Sequence, residues 1–249
     1  GATHAPHQVP PEWSARYRGR FDDGWDALRE RTLARQKELG VVPADAVLTA
    51  RPDEIPAWDA MPAELKPILA RQMEVYAGFL EHVDHHVGRL VDSLDELGIL
   101  DDTLVLYMVG DNGASGEGTV NGTFNELFVF NGAAALETPE FLAAHIDEFG
   151  TAAAYNHYAV GWAHAMDTPY QWTKQVASHW GGTRNGTIVH WPAGIKTKGE
   201  IRSQFHHVVD VAPTGAGYGS MPPSTRRPRI FPASDATFSS SFGMYGIRL

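Results

Sequence analysis

Two polar side chains at the end of an apolar run could bind a metal ion. Asp111 and Asn112 stand between two glycines and follow directly on the run Thr103–Val109. A carboxylate oxygen and an amide oxygen are hard ligands of the kind that Ca²⁺ and Mg²⁺ prefer. The sequence Gly-Asp-Asn-Gly is also typical of a turn, and the local sequence alone favours that interpretation. Asp111 and Asn112 are therefore candidate metal ligands whose role depends on what the rest of the chain brings to them.

Two basic side chains lie in segments that could contact an anion. His4 shares the loop Thr-His-Ala-Pro-His with His7, where an imidazole could act as a general acid or bind an anion, although a solvated histidine is the simpler interpretation. Lys174 precedes Gly181 and Gly182. A lysine there could hold an anionic oxygen as a point charge while the glycines let the backbone come close. Neither segment predicts a function by itself.

Two histidines within a predicted helix are a further candidate metal site. His82 and His86 are four residues apart, a spacing that zinc sites use on helices. No HExxH motif and no third ligand stand nearby in the sequence. The pattern favours a solvated polar face of the helix over a metal site.

Hydrophobic periodicity predicts the elements that must position these residues. Helices are predicted over residues 23–39 and 63–98, and strands over residues 103–109, 186–191 and 205–211. The first of these strands is apolar throughout, which favours burial on both faces in a parallel sheet flanked by helices. Residues 113–180 are rich in Gly, Asn and small residues, and we expect them at the carboxyl ends of the strands, where α/β proteins bind ligands.

Composition excludes several classes of protein. The 249 residues include no cysteine, which rules out disulfides, thiolate metal sites and cysteine nucleophiles. The net charge of −10 disfavours nucleic acid as a partner, and no apolar run is long enough for a transmembrane segment. Residues 215–249 carry four arginines against one acid and are rich in Gly, Ser and Pro, so we expect an irregular basic tail.

Four stretches stand in a specific order along the chain. They are ATHAPH at the start, LDELGILDDTLVLYMVGDNG at the end of the long predicted helix, TPYQWTKQVASHWGGTRNGTIVHWPAGI, and FHHVVDVAPT. In this order the chain resembles the sulfatase family, and its bacterial arylsulfatase branch in particular. The resemblance covers residues 1–214 and implies part of a catalytic domain. It further implies an incomplete alkaline-phosphatase-like α/β sandwich, with a mostly parallel central sheet flanked by helices.

The resemblance implies a role for each candidate residue. Asp111 and Asn112 match the pair that ligates the active-site divalent cation, usually Ca²⁺ in bacterial arylsulfatases, with Mg²⁺ as the alternative. His4 matches the histidine that contacts the sulfate group and the leaving oxygen, whereas His7 matches no motif position. Lys174 matches the lysine ahead of the Gly-Gly-x-Arg turn. The implied substrate is a small-molecule sulfate ester, with aryl sulfates among the candidates.

The nucleophile of the family is missing from this sequence. It is a formylglycine made from Cys or Ser in a [CS]-x-P-x-R motif, and the nearest approach, Ser220-Met-Pro-Pro-Ser224, has Ser224 where the arginine is needed. We therefore expect a fragment of a sulfuric ester hydrolase with little or no turnover of its own. Two alternatives stay open: a hydrolase of phosphate or phosphonate monoesters from the same superfamily, and a non-catalytic metal-binding fragment.

Overall fold

The computed structural model describes residues 3–219, which fall into two compact units. Within the described residues, unit 1 takes residues 3–35, 45–89 and 111–184, and unit 2 takes residues 36–44, 90–110 and 185–219. The α-helices of the described residues are α1 Pro11–Ser14, α2 Gly24–Glu38, α3 Lys66–Glu96, α4 Glu126–Phe130, α5 Pro139–Ala144, α6 Val160–Met166, α7 Trp180–Thr183 and α8 Val211–Gly219. The strands are β1 Val105–Val109 and β2 Gly186–His190. Every candidate site residue lies in unit 1.

The longest helix confirms the prediction from the apolar repeat. Helix α3 runs for 31 residues, and Pro67 lies in its first turn, where the missing N–H would have no helical partner in any case. Its buried residues all lie between Ile68 and Gly78, while the later turns are half-buried or exposed. No helix within residues 3–219 is both long and apolar enough to cross a membrane.

The core of unit 1 is built on aromatic side chains. Trp162 on α6 is completely buried, and its ring centroid lies 5.5 Å from that of Trp25 and 5.6 Å from that of Trp58. Its indole N–H donates a hydrogen bond to the carbonyl of Leu69 at 2.9 Å, so the ring's one polar atom is satisfied. The core thereby fixes α6 against α3.

The sheet differs from the prediction. Strands β1 and β2 pair antiparallel, with Val105 opposite His190 and Val109 opposite Gly186, and this is the only sheet of the described residues. The expected burial of β1 on both faces is wrong, because Met108 and Val109 are 42% and 43% exposed. An apolar run shows that a strand can be buried, but it fixes neither the direction of its partner nor what covers it. The mostly parallel central sheet is not confirmed.

The strand predicted over residues 205–211 is also wrong. The His207 side chain accepts a hydrogen bond from the N–H of Val209, and the Asp210 carboxylate accepts one from the N–H of His207. This reciprocal cap starts a turn of 3₁₀-helix over Val208–Asp210 that continues into α8. Helix α8 extends to Gly219, into the segment expected to be irregular, and residues 220–249 of the predicted tail lie outside the described residues.

Candidate active site

His4 and Lys174 meet although 170 residues separate them in the sequence. Lys174 Nζ lies 3.4 Å from His4 Nε2. His4 Nδ1 lies 2.9 Å from the carbonyl oxygen of Ala5, which accepts a hydrogen bond from this nitrogen. The imidazole therefore presents Nε2 to the lysine ammonium. His4 is exposed and Lys174 is half-buried, so a ligand from solvent can reach the pair.

Glu117 holds the lysine in place. Its Oε2 lies 3.2 Å from Lys174 Nζ and accepts a hydrogen bond from Ser115 Oγ at 2.7 Å, while Oε1 accepts one from Gln175 Nε2 at 2.8 Å. Burial by itself raises the pKa of Glu117, but the hydrogen bonds from Ser115 and Lys174 and the lysine charge outweigh it and lower the pKa. Glu117 is therefore an anion at neutral pH. Sequence reasoning missed this residue.

The backbone beside Lys174 is held in an uncommon conformation. Trp172 and Gln175 have φ angles of 66° and 76°, in the left-handed region that side-chain-bearing residues rarely adopt. Such strain persists only where the surrounding structure imposes it. Here it accompanies the hydrogen bond from the Gln175 amide to Glu117 and that from the Lys174 N–H to the Ala114 carbonyl, at 2.9 Å.

Asp111 and Asn112 follow β1 as predicted, at the start of the segment that leads to Glu117. Asp111 is exposed, and among the described residues its carboxylate makes no hydrogen bond or ion pair, while Asn112 is half-buried. No such contact joins Asp111 to His4 or Lys174 within the described residues. An open carboxylate next to an amide oxygen suits a hard cation such as Ca²⁺.

Glycines of the Gly-Asp-Asn-Gly motif and of the Gly-Gly-x-Arg motif pack against each other. The N–H of Gly113 donates to the carbonyl of Gly182 at 3.3 Å, and a Cβ on Gly113 would lie 1.5 Å from the carbonyl oxygen of Gly181. Arg184 lies over the rings of Tyr170 and Trp180, at 4.8 and 4.9 Å. The segment that follows Asn112 therefore packs directly against the backbone of Gly181 and Gly182.

A second group of side chains lies beside Glu117. One donor atom each of Glu117, Glu126 and His157 lies within 4.8 Å of the other two. His157 is 1% exposed, and burial lowers its pKa to about 4. Glu126 begins the five-residue helix α4, which is too short to carry a periodic signal, so no pattern in the sequence identifies it.

His7 belongs to the core. It is 1% exposed, and its ring stacks on Tyr158 with centroids 5.0 Å apart. Burial lowers the pKa of His7 well below its usual value. A neutral histidine packed among rings has no access to substrate.

A cavity of about 450 Å³ adjoins the lysine. Lys174 and Glu117 line it on the polar side. Its apolar walls include Ile55, Val120, Val160, Trp172 and Val176. The charged pair therefore stands beside a space that suits an apolar group.

Asp167 should make stability depend on pH. Its Oδ1 accepts a hydrogen bond from the N–H of Ala114 at 3.0 Å, but Oδ2 is buried without a partner among the described residues, and burial raises the pKa to about 8. In the unfolded chain the carboxyl has its ordinary pKa of 3.8, so between about pH 4 and about pH 8 the folded state holds a proton that the unfolded state has lost. The free energy of unfolding therefore falls as pH rises from about 4 to about 8.

The Asp167→Asn variant keeps the acceptor for Ala114 and cannot ionise. We expect it to lose this part of the pH dependence, with its largest gain over the wild type above pH 8. Urea unfolding of both proteins from pH 5 to pH 9 measures the difference. His157 titrates in the same way in both proteins. If their unfolding free energies therefore changed with pH in parallel, Asp167 would not be the source of the pH dependence.

Comparison of the sequence with known proteins shows which family the chain belongs to. The family model described as Sulfatase matches residues 1–219. The chain belongs to the sulfatase family. It is 34% identical over 218 residues to an uncharacterized sulfatase of Schizosaccharomyces pombe (strain 972 / ATCC 24843), covering 86% of this chain and 37% of that protein. It is 28% identical over 226 residues to an arylsulfatase of Klebsiella aerogenes, covering 90% of this chain and 45% of that protein.

Membership in the sulfatase family confirms the resemblance drawn from the sequence motifs. It implies the α/β fold of the alkaline phosphatase kind, of which the described residues contain helices and one two-stranded sheet. The sulfatase chain spans less than half the length of these two relatives. The matched region includes His4, Asp111, Asn112 and Lys174.

Proposed function

We propose that this chain supplies the sulfate-binding and cation-binding part of the active site of a sulfuric ester hydrolase. The observation that carries the proposal is the contact of Lys174 Nζ with His4 Nε2 at 3.4 Å in a position open to solvent. A sulfate monoester is an anion, and cleavage of its S–O bond leaves an alkoxide or phenoxide. A site for this reaction needs donors at the sulfate oxygens and a proton for the leaving oxygen.

The lysine and histidine meet these two needs together. The ammonium of Lys174 carries three donors, of which Glu117 and His4 engage two, so a third can bind a sulfate oxygen. His4 Nε2 accepts from the Lys174 ammonium, and the proton that the ammonium directs to it would be the one passed to the leaving oxygen. Glu117 acts as a positioning residue, because it fixes the ammonium without occupying the exposed side of the pair.

Asp111 and Asn112 would hold the cation. Their carboxylate and amide oxygens fit Ca²⁺, with Mg²⁺ as the alternative. When bound, the cation neutralises charge on the sulfuryl oxygens. Asp111 has no competing side-chain partner among the described residues, so its carboxylate does not have to break a contact in order to ligate.

The cavity beside Lys174 supports an ester with an apolar organic group. Trp172 and Val160 line it, and a ring of phenyl size fits within about 450 Å³. Aryl sulfates are the substrates that combine such a ring with a sulfate group. The chain has no cysteine and no match to the formylglycine motif, so we expect no measurable turnover by these 249 residues alone.

Binding of 4-nitrophenyl sulfate tests the proposal without requiring turnover. Loss of a charge-assisted hydrogen bond costs about 1.5–3 kcal/mol, so Lys174→Met should weaken binding about 10- to 150-fold. Equilibrium dialysis at pH 7 in the presence of Ca²⁺ gives the two dissociation constants. The control is Lys196→Met, because Lys196 is exposed and, within residues 3–219, donates only to the backbone carbonyls of Pro192 and Ala193.

Two results would count against the proposal. Equal affinity in the wild type and Lys174→Met would show that the lysine does not bind the sulfate. Tighter binding of 4-nitrophenyl phosphate than of the sulfate would favour the phosphate monoester class instead.

A further inference from the structure

Glu126 is a buried carboxylate with an unsatisfied oxygen. The residue is 2% exposed, and its Oε1 has no hydrogen-bond partner among the described residues. Its backbone N–H is satisfied by the carbonyl of Tyr155 at 2.9 Å, which fixes the start of α4. A buried oxygen without a partner costs free energy, which a bound cation would offset.

The imidazole of His157 lies at the same place, with one ring nitrogen within 4.8 Å of a carboxylate oxygen of Glu126. Its Nδ1 lies 2.9 Å from the carbonyl oxygen of Tyr158, so this nitrogen carries the hydrogen and donates it. Nε2 is then the unprotonated nitrogen, which is the form that ligates metals. A carbonyl that accepts from the second ring nitrogen is also the usual support of a metal-bound histidine.

The backbone of Gly118 holds this arrangement together. A Cβ there would lie 2.7 Å from His157 Nδ1 and 2.0 Å from the carbonyl oxygen of Tyr158. Only glycine lets the segment after Glu117 pass this close to the imidazole. Glu117 is thereby brought to the buried pair Glu126 and His157.

We propose that Glu117, Glu126 and His157 form a second divalent-cation site, separate from Asp111 and Asn112, for ions that accept imidazole as a ligand, such as Zn²⁺. Three donor atoms within 4.8 Å of one another can converge on an ion at bonds of about 2.0–2.2 Å with small side-chain movements. Two carboxylates and one imidazole suit Zn²⁺, whereas Ca²⁺ takes oxygen ligands.

Occupation of this site is coupled to the lysine. Lys174 Nζ lies 3.2 Å from Glu117 Oε2, so an ion bound to Glu117 repels the ammonium and weakens the ion pair. The second site therefore acts on the position of Lys174. The cation site itself does not depend on the proposed sulfatase function, because its binding can be measured without any ester present.

Calorimetric titration of the full 249-residue chain with Zn²⁺ tests the proposal. His82 and His86 on α3 have Nε2 atoms 3.0 Å apart and could bind Zn²⁺ at the surface, so all proteins carry His82→Gln and His86→Gln. We expect one saturable site that Glu126→Gln weakens at least tenfold and Asp111→Ala leaves unchanged. Glu117→Gln, at a half-buried position, repeats the test if Glu126→Gln does not fold by circular dichroism.

The ring of His157 gives an independent measurement. The ¹⁵N chemical shifts of its imidazole should change as Zn²⁺ is added. The change should saturate at one ion per chain. Unchanged His157 signals would overturn the proposal. So would Zn²⁺ binding that survives both carboxylate substitutions, or that is lost with Asp111→Ala.

Discussion

The Trp162→Ala variant is expected to lose about 3–5 kcal/mol of stability, the usual cost of removing a fully buried tryptophan. Trp162 is completely buried, contacts Trp25, Trp58 and Phe21, and donates its N–H to the carbonyl of Leu69. The variant leaves a cavity and removes the indole donor from the carbonyl of Leu69. Since domains are stable by about 5–15 kcal/mol, this is a large part of the total free energy of unfolding.

Urea unfolding followed by circular dichroism measures this loss. The control is Trp180→Ala, because Trp180 is 46% exposed and its removal should cost about 1 kcal/mol or less. Equal midpoints for the two variants would show that Trp162 is not part of the core of unit 1.

The Gly113→Ala variant is expected to lose stability and to weaken the cation binding that we propose for Asp111 and Asn112. Its Cβ would lie 1.5 Å from the carbonyl oxygen of Gly181 and 2.7 Å from the carbonyl carbon, and both are backbone atoms. The two segments must then move apart, at a cost of about 3 kcal/mol or more. Because Gly113 directly follows Asp111 and Asn112, this movement should also weaken Ca²⁺ binding by at least about tenfold.

Gly88→Ala is the matched control. Gly88 lies within α3, and a Cβ there would meet nothing within 4 Å, so the substitution should be neutral or stabilise the helix by up to about 1 kcal/mol. Thermal unfolding and Ca²⁺ calorimetry on both variants measure the two effects. If Gly113→Ala were as stable as Gly88→Ala, the close packing of the two glycine motifs would be refuted.

The regular elements were predictable from the sequence where the periodic signal was long. The repeat over residues 63–98 gave α3 as Lys66–Glu96, and the apolar runs gave β1 and β2 to within two residues. The direction of the sheet was not predictable, because strand pairing depends on residues distant in sequence. Where a strand was predicted over residues 205–211, the reciprocal cap of His207 and Asp210 starts a turn of 3₁₀-helix instead.

The candidate site was predictable only through the family resemblance. Order along the chain singled out His4 and Lys174, and the structure brings them together. Glu117 and His157 lie in irregular segments and Glu126 begins the short helix α4, and single contacts such as that of Gly118 with the carbonyl of Tyr158 set their positions. No local pattern encodes such contacts, so these residues became visible only in three dimensions.

The central claim is that His4 and Lys174 bind the sulfate group as a pair. Nuclear magnetic resonance of the chain labelled at histidine rings and lysine side chains, titrated with 4-nitrophenyl sulfate in the presence of Ca²⁺, tests it directly. We expect the His4 Nε2 and Lys174 Nζ signals to shift together and to saturate with the same dissociation constant. Shifts that fail to saturate, or that appear at only one of the two residues, would contradict it.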